Sequence, residues 1–278
     1  MSVPFLLVVL LRAAAAATVV VGASVLAEAV GPFWGGLIIS LPISAGPAYV
    51  MLGLQHNAAF IAAGALGSLA GNAVTIVYML AIILLAPRLR WPLTLAVGLT
   101  IWFGLAWLIR QVIWGLPGVC LLNLAVFALA LRLTRHARQI GPMRPRAARR
   151  RWFDLPMRAL LVGTLTATVV TASRWLGPSL TGMAAVFPIA LTGLALVVLP
   201  RLGGAASAAL FASTLLAMPG FAIAVLVLHL TAEPLGVWWG MVAALAAQLV
   251  FSALLLAGYA PRRRHPLRAA DAEPATRA

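Results

Sequence analysis

The sequence predicts an all-α integral membrane protein of about nine transmembrane helices, arranged as a 4+1+4 inverted-topology repeat. Three observations predict this class: an apolar composition, arginine clusters between apolar runs, and a glycine and proline pattern that occurs twice. The chain has 278 residues, of which 63% are hydrophobic and only 9% are charged. Soluble domains carry roughly 25% charged residues, so most of this surface must face lipid.

Apolar runs between helix-breaking residues are the evidence for nine spans. A transmembrane helix needs about 20 apolar residues, and the runs have that length. The predicted segments are 5–29, 32–54, 58–86, 91–109, 112–133, 157–175, 178–200, 204–230 and 235–259. The stretch 91–133 is twice a span, and Arg110, Gln111 and the segment 115–118, which contains glycine and proline, divide it into two helices.

The basic residues indicate orientation rather than a soluble partner. All twenty are arginines, and most cluster in 132–158 and 262–268. Such clusters beside spans follow the positive-inside rule, which places the protein in a bacterial inner membrane with its N-terminus outside and its C-terminus in the cytoplasm. Membrane lipid is the expected partner. Nucleic acid is not, because no basic face interleaved with aromatic residues occurs outside the spans. Cys120 is alone, so we expect no disulfide, metal or cofactor.

A duplication appears when the sequence is compared with itself at an offset of 146 residues. The offset aligns Gly31, Pro32, Gly36, Pro42 and Ile43 with Gly177, Pro178, Gly182, Pro188 and Ile189. An odd number of spans separates the copies, so they have opposite orientations, as in many secondary transporters. The predicted parts are a first repeat (1–110), a linking helix (111–134), a basic cytoplasmic loop (135–156), a second repeat (157–259) and a basic tail (260–278).

The second proline of each copy marks a candidate substrate site. Pro42 and Pro188 lie ten residues, about 15 Å, beyond the Gly-Pro turn, near the middle of the hydrocarbon core. A proline there removes a backbone hydrogen bond and frees a carbonyl four residues earlier, that of Ile38 or Ala184. Two broken helices that meet at the midplane could bind a substrate. The alternative is a packing kink.

The glycines Gly36 and Gly182 lie in the same two segments and complete this predicted site. Asn72 is a further candidate, as an interhelical hydrogen bond or a ligand contact. It follows Gly67 and Gly71, whose spacing is typical of close helix packing. Its aligned partner is Met218, which precedes a Pro-Gly pair, so we expect the third helix of each half to be interrupted or pinched. Asn123 is interpreted in the same way as Asn72.

Four ionisable residues are candidates for gating or coupling. Glu28 aligns with Arg174, near helix ends on opposite membrane sides; Glu28 is either a proton-coupling group or a residue that reaches the interface. Arg12 and Arg158 each precede the Gly-Pro turn by 19 residues, about one span. They are either interfacial anchors or a symmetric pair of gates for an anionic substrate.

The repeat unit resembles the small four-helix inner-membrane proteins of the GlpM-like family. The residues that match are Arg12, Leu41-Pro42 and Ala59-Phe60 in the first half and Arg158 and Phe187-Pro188 in the second, whereas Ala205-Ala206 departs from the pattern. The resemblance implies a fused, duplicated relative of that family, with links to exopolysaccharide production, and it implies no catalytic residue.

Three classes of function remain. A secondary transporter or permease is favoured by the repeat, with an anion, a neutral organic solute or a lipid-linked intermediate as cargo because acidic residues are scarce. A non-transporting membrane partner in envelope or exopolysaccharide assembly is the alternative. An enzyme is not expected, since the chain has no DDxxD, HExxH, GxSxG or P-loop pattern.

Overall fold

The computed structural model describes residues 45–139 and 154–259, together with six isolated positions between 7 and 22. Within these ranges the chain is almost entirely helical, and no strand occurs there. Six of the described helical stretches are long and apolar enough to cross a membrane. The predicted class, an all-α multi-pass membrane protein, is therefore confirmed for this part of the chain.

The described helices follow the predicted segments closely. They are α1 (Ala45–Gly53), α2 (Ala58–Leu85), α3 (Trp91–Ile109), α4 (Leu116–Leu133), α5 (Arg135–Gln139), α6 (Asp154–Ala185), α7 (Ile189–Leu202), α8 (Gly204–Thr214), α9 (Met218–Leu235) and α10 (Val237–Tyr259). The stretch 91–133 forms two helices, as predicted. Gly115 is extended and Pro117 stands in the first turn of α4, where its missing N–H needs no partner.

The predicted boundary near residue 177 is a kink within one helix, and the span predicted after it is interrupted. Gly177 has a φ of 72°, a conformation that favours glycine, and kinks α6; Pro178 opens the helical part beyond it. The span predicted at 178–200 comprises two helical pieces, the part of α6 after Gly177 and the helix α7. Residues 186–188 separate them. We call residues 178–202 the broken helix.

The third helices of the two halves differ from each other. In the second half, a 3-10 turn at Leu215–Ala217 separates α8 from α9, so the predicted interruption is found. In the first half, α2 runs unbroken through Asn72. Of the two alternatives expected there, an interrupted or a pinched helix, the interruption is absent, and the close packing described below corresponds to the pinched one.

Helix α2 lies at the centre of the bundle, and its span is 83% buried. Helices α8 and α9 together run past it in the opposite direction, because His229 of α9 bonds the Ala62 carbonyl while Gly204 of α8 lies against Ala86. The helix ends therefore collect in two groups. The basic end comprises 86–90, 132–139 and 201–204, and the opposite end comprises 54–57, 110–115, 173–178 and 235–237.

The described arginines are unevenly divided between these two ends. Of those whose side chains are described, six lie at the basic end (Arg88, Arg90, Arg132, Arg135, Arg138 and Arg201) and two at the opposite end (Arg110 and Arg174). This asymmetry is the one that the positive-inside rule describes.

Candidate functional site

Helix α2 and the broken helix approach each other at backbone distance. A Cβ added to Gly67 would overlap the Ser179 carbonyl, and one added to Gly182 would overlap the Gly64 carbonyl. Small residues allow such contacts between membrane helices. The close packing predicted from Gly67 and Gly71 is therefore confirmed, and its partner is the broken helix of the other half.

Hydroxyl groups of α2 bond the broken helix along this contact. The Ser68 hydroxyl donates to the Gly182 carbonyl at 2.7 Å, and the Thr75 hydroxyl donates to the Val186 carbonyl at 3.4 Å. Nearer the basic end, the hydroxyls of Tyr78 and Thr192 share a hydrogen bond of 3.0 Å. We call these six residues the seam. Lipid offers such groups no partners, so the seam also satisfies polar groups that the bilayer would leave unpaired.

The break at Pro188 is closed by local hydrogen bonds. Pro188 is buried, with φ −75° and ψ 48°. The Phe187 N–H donates to the Ala184 carbonyl at 3.1 Å, and the Thr192 N–H donates to the Pro188 carbonyl at 2.8 Å. The expectation that the proline frees the Ala184 carbonyl is wrong, because the chain tightens before the proline and Phe187 supplies the donor instead.

Trp102 of α3 packs against the break and makes an aromatic contact with Phe187 there. The Trp102 indole N–H donates to the Thr75 hydroxyl at 3.2 Å, and its ring meets Phe187 edge-on with centroids 4.8 Å apart. Trp102 is buried. The same threonine thus accepts from α3 and donates to the broken helix, so three helices meet at this hydroxyl.

Asn72 points away from the seam, towards the linking helix α4. Its amide nitrogen donates to the Asn123 side-chain oxygen at 2.9 Å. The Asn123 amide nitrogen in turn donates to the Leu69 and Val119 carbonyls. The interhelical hydrogen bond expected of Asn72 is therefore present, and Asn123 is its partner.

A cleft of about 170 Å³ lies beside the two asparagines. Its other lining residues are apolar: Ile76, Leu124, Phe127, Pro219, Ala222 and Ile223. Leu124 and Ile223 are exposed on the outer surface of the bundle. The cleft therefore opens towards lipid and lies apart from the broken-helix site that the prolines predict.

A small polar cluster joins helices at the opposite end. The Ser173 hydroxyl donates to the Val170 carbonyl, so it accepts from His56 Nε2–H at 2.8 Å. The His56 ring stacks on Phe60 with centroids 3.7 Å apart. Burial, and then the charge of Arg174, lower the pKa of His56. The cluster fixes the start of α2 against the end of the first part of α6.

The predicted site residues are only partly brought together. Gly182, Ala184 and Pro188 lie on the broken helix, Asn72 borders the cleft, and Arg174 is exposed at the opposite end. Pro42, Gly36, Ile38, Glu28 and Arg12 lie outside the described residues, as does the side chain of Arg158.

Sequence reasoning missed the hydroxyl groups of the seam. Ser68, Thr75 and Tyr78 follow one another at intervals of seven and three residues, which keeps them close to one side of a helix. That side also carries Gly64, Gly67 and Gly71. The available signal was this shared face. Hydroxyl side chains beside glycines at intervals of three or four residues indicate a close helix contact that contains hydrogen bonds.

Within the described residues no three His, Cys, Asp or Glu side chains come together as a metal site. Comparison with known proteins finds no match to a protein-family model, to a curated protein or to a solved structure. The GlpM-like resemblance therefore stays a prediction from the residues that carry it.

Proposed function

We propose that this protein is a secondary transporter built from two inverted copies of a four-helix unit. The observation that carries the proposal is the seam, where the proline-broken helix of the second copy lies against the third helix of the first. The break falls midway along the span, where transporters with this symmetry bind their cargo. Small residues at the contact leave few interdigitated side chains to oppose relative motion of the two copies.

The helix directions support an inverted repeat. The offset of 146 residues pairs α2 with α8 and α9, and these run in opposite directions. It also pairs α3, which leaves the basic end, with α10, which returns to it. With the basic end in the cytoplasm, the C-terminus is cytoplasmic, and the N-terminus is outside if an odd number of spans lies between them.

The polar groups of the seam favour one of the predicted classes of cargo. They are hydroxyls and backbone carbonyls, and no charged side chain is among them. The neighbouring indole N–H of Trp102 already donates to Thr75. An anion would need positive or N–H donor groups to replace its water. Of the three cargo classes predicted, a neutral organic solute fits the seam best.

The non-transporting partner in envelope or exopolysaccharide assembly is the second candidate. It is favoured by the pairing of the Ala184 and Pro188 carbonyls with backbone N–H groups. Carbonyls that already have backbone partners need neither water nor a substrate, so the break can be a static feature of helix packing. The two candidates differ in whether water reaches the break.

Thiol labelling separates them. Ile189, the half-buried residue after Pro188, is changed to cysteine in a Cys120→Ser background and treated with a membrane-impermeant maleimide from each side. A transporter exposes this cysteine to water from at least one side. Gln111→Cys and Arg90→Cys mark the two ends, and Leu245→Cys is the lipid-facing control that stays unlabelled. Protection of Ile189→Cys from both sides, with both markers labelled, would contradict the transporter proposal and favour the assembly partner.

A further inference from the structure

Three groups form a chain of hydrogen bonds across the two copies. Ser68 has one hydroxyl proton, and it is donated to the Gly182 carbonyl. The bond of 2.6 Å between Ser68 and Tyr49 must therefore use the proton of the Tyr49 phenol. The direction is fixed: the tyrosine donates to the serine, and the serine donates to the carbonyl.

This chain joins α1 and α2 of the first copy to the broken helix of the second. Tyr49 and Ser68 are buried, and Gly182 lies only five residues beyond the kink at Gly177. The bonds therefore lie in the half of the seam nearer the opposite end. Thr75 lies seven residues further along α2, about 10 Å deeper at 1.5 Å per residue.

The second copy cannot form the same chain of bonds. The offset of 146 residues pairs Tyr49 with Ala195, Ser68 with Thr214 and Gly182 with Gly36. Ala195 has no hydroxyl, and the Thr214 hydroxyl donates to the Leu210 carbonyl within its own helix. The positions that the offset pairs with Tyr49 and Ser68 therefore cannot repeat this chain, although Tyr78 bonds Thr192 between the copies nearer the basic end.

We propose that Tyr49, Ser68 and Gly182 form a latch that holds the pathway closed at the opposite end, and that the residues paired with Tyr49 and Ser68 by the repeat offset do not form it. The inference rests on the proposed function, because a latch acts only if the copies move relative to each other. In an inverted-repeat transporter the two closed contacts exchange roles between states. The buried chain of two bonds from Tyr49 to Gly182 strengthens the contact at the opposite end and biases the resting state towards the one closed there.

The test measures how fast a cysteine below the latch is labelled from each side. Thr75→Cys is placed in a Cys120→Ser background in sealed vesicles of both orientations, and an impermeant maleimide is added. With Tyr49→Phe, labelling from the side of Gln111 should accelerate about fivefold, which corresponds to the loss of a net hydrogen bond of about 1 kcal/mol. Labelling from the side of Arg90 should not accelerate.

A matched control comes from the other tyrosine of the region. Tyr78→Phe also removes a phenol that bonds the second copy, through Thr192, but nearer the basic end. It should leave labelling from the side of Gln111 unchanged. If Tyr49→Phe does not fold, Ser68→Ala removes both bonds and should give the same one-sided acceleration.

The outcomes separate the latch from the transporter itself. Labelling of Thr75→Cys that is unchanged by Tyr49→Phe, or equally accelerated from both sides, overturns the latch and leaves the aqueous pathway standing. Absence of labelling from either side in every variant, with Gln111→Cys labelled, overturns both proposals.

Discussion

Replacing Gly67 by alanine tests the backbone contact between α2 and the broken helix. The new Cβ would lie 2.8 Å from the Ser179 carbonyl carbon, 2.9 Å from its Cα and nearer still to the carbonyl oxygen, so the helices must separate by more than about 0.6 Å to restore ordinary contact at 3.4 Å. Overpacking of this kind costs about 1–3 kcal/mol. The separation also weakens the neighbouring Ser68–Gly182 hydrogen bond, for about 1 kcal/mol more.

Gly104→Ala is the matched control, because nothing lies within 4 Å of a Cβ added there. Both substitutions gain the same helix propensity, about 0.5–1 kcal/mol. The difference between the two variants should therefore be about 2–4 kcal/mol, with Gly67→Ala the less stable. Thermal unfolding in detergent, followed by tryptophan fluorescence, measures it. Equal melting temperatures for the two variants would refute the close approach.

Three further substitutions test individual contacts. Asn123→Ala leaves the Asn72 amide without its partner and should lower the free energy of unfolding by about 1–3 kcal/mol. A double-mutant cycle with Asn72→Ala should give a coupling energy of about 0.6 kcal/mol. A coupling energy of zero would contradict the hydrogen bond between the two asparagines. Trp102→Phe keeps a ring against the break but removes the N–H that donates to Thr75, so it should lower the free energy of unfolding by about 1 kcal/mol in the same assay. An unchanged stability would contradict the hydrogen bond between Trp102 and Thr75. Because the folded protein lowers the pKa of His56 below its usual 6.5, the unfolded chain takes up the proton first as pH falls. Stability should therefore decline as pH falls below about 6.5, and less so in His56→Gln, as measured by melting temperature at several pH values; identical pH profiles would disprove the shift.

Much of the helix pattern could be predicted because membrane helices have strong local signals. Apolar runs of span length, ended by Gly177-Pro178 or by the segment 110–118, placed most of the described boundaries within a few residues. Glycine permits the φ of 72° at position 177, and the proline that follows it marks the start of a new helical segment. These features depend on composition and on one or two neighbouring residues.

The details of the break could not be predicted in this way. A proline removes a bond from a regular helix, which is why a free carbonyl was expected at Ala184. Whether a nearby N–H replaces that bond depends on how the chain turns, and here Phe187 supplies it. Tertiary context decided the outcome.

The hydroxyl pairs of the seam depend on which helices become neighbours. Ser68 and Gly182 are 114 residues apart, and no local pattern links them. Once the broken helix is packed against the face of α2 that carries the glycines, Ser68 lies within hydrogen-bond distance of the Gly182 carbonyl. The pair could therefore be predicted only if the helix topology were already known.

The inverted arrangement of the two halves is the basis of the transporter proposal. The offset of 146 residues pairs Ala59 with Ala205, and each is exposed in the first turn of its third helix, in α2 and in α8. Changing each alanine singly to cysteine in the Cys120→Ser background and labelling intact cells, then opened membranes, measures the side of each. Labelling of Ala59→Cys from outside and of Ala205→Cys only from the cytoplasmic side is the predicted result. Labelling of both from the same side would contradict the inverted repeat and the transporter proposal that rests on it.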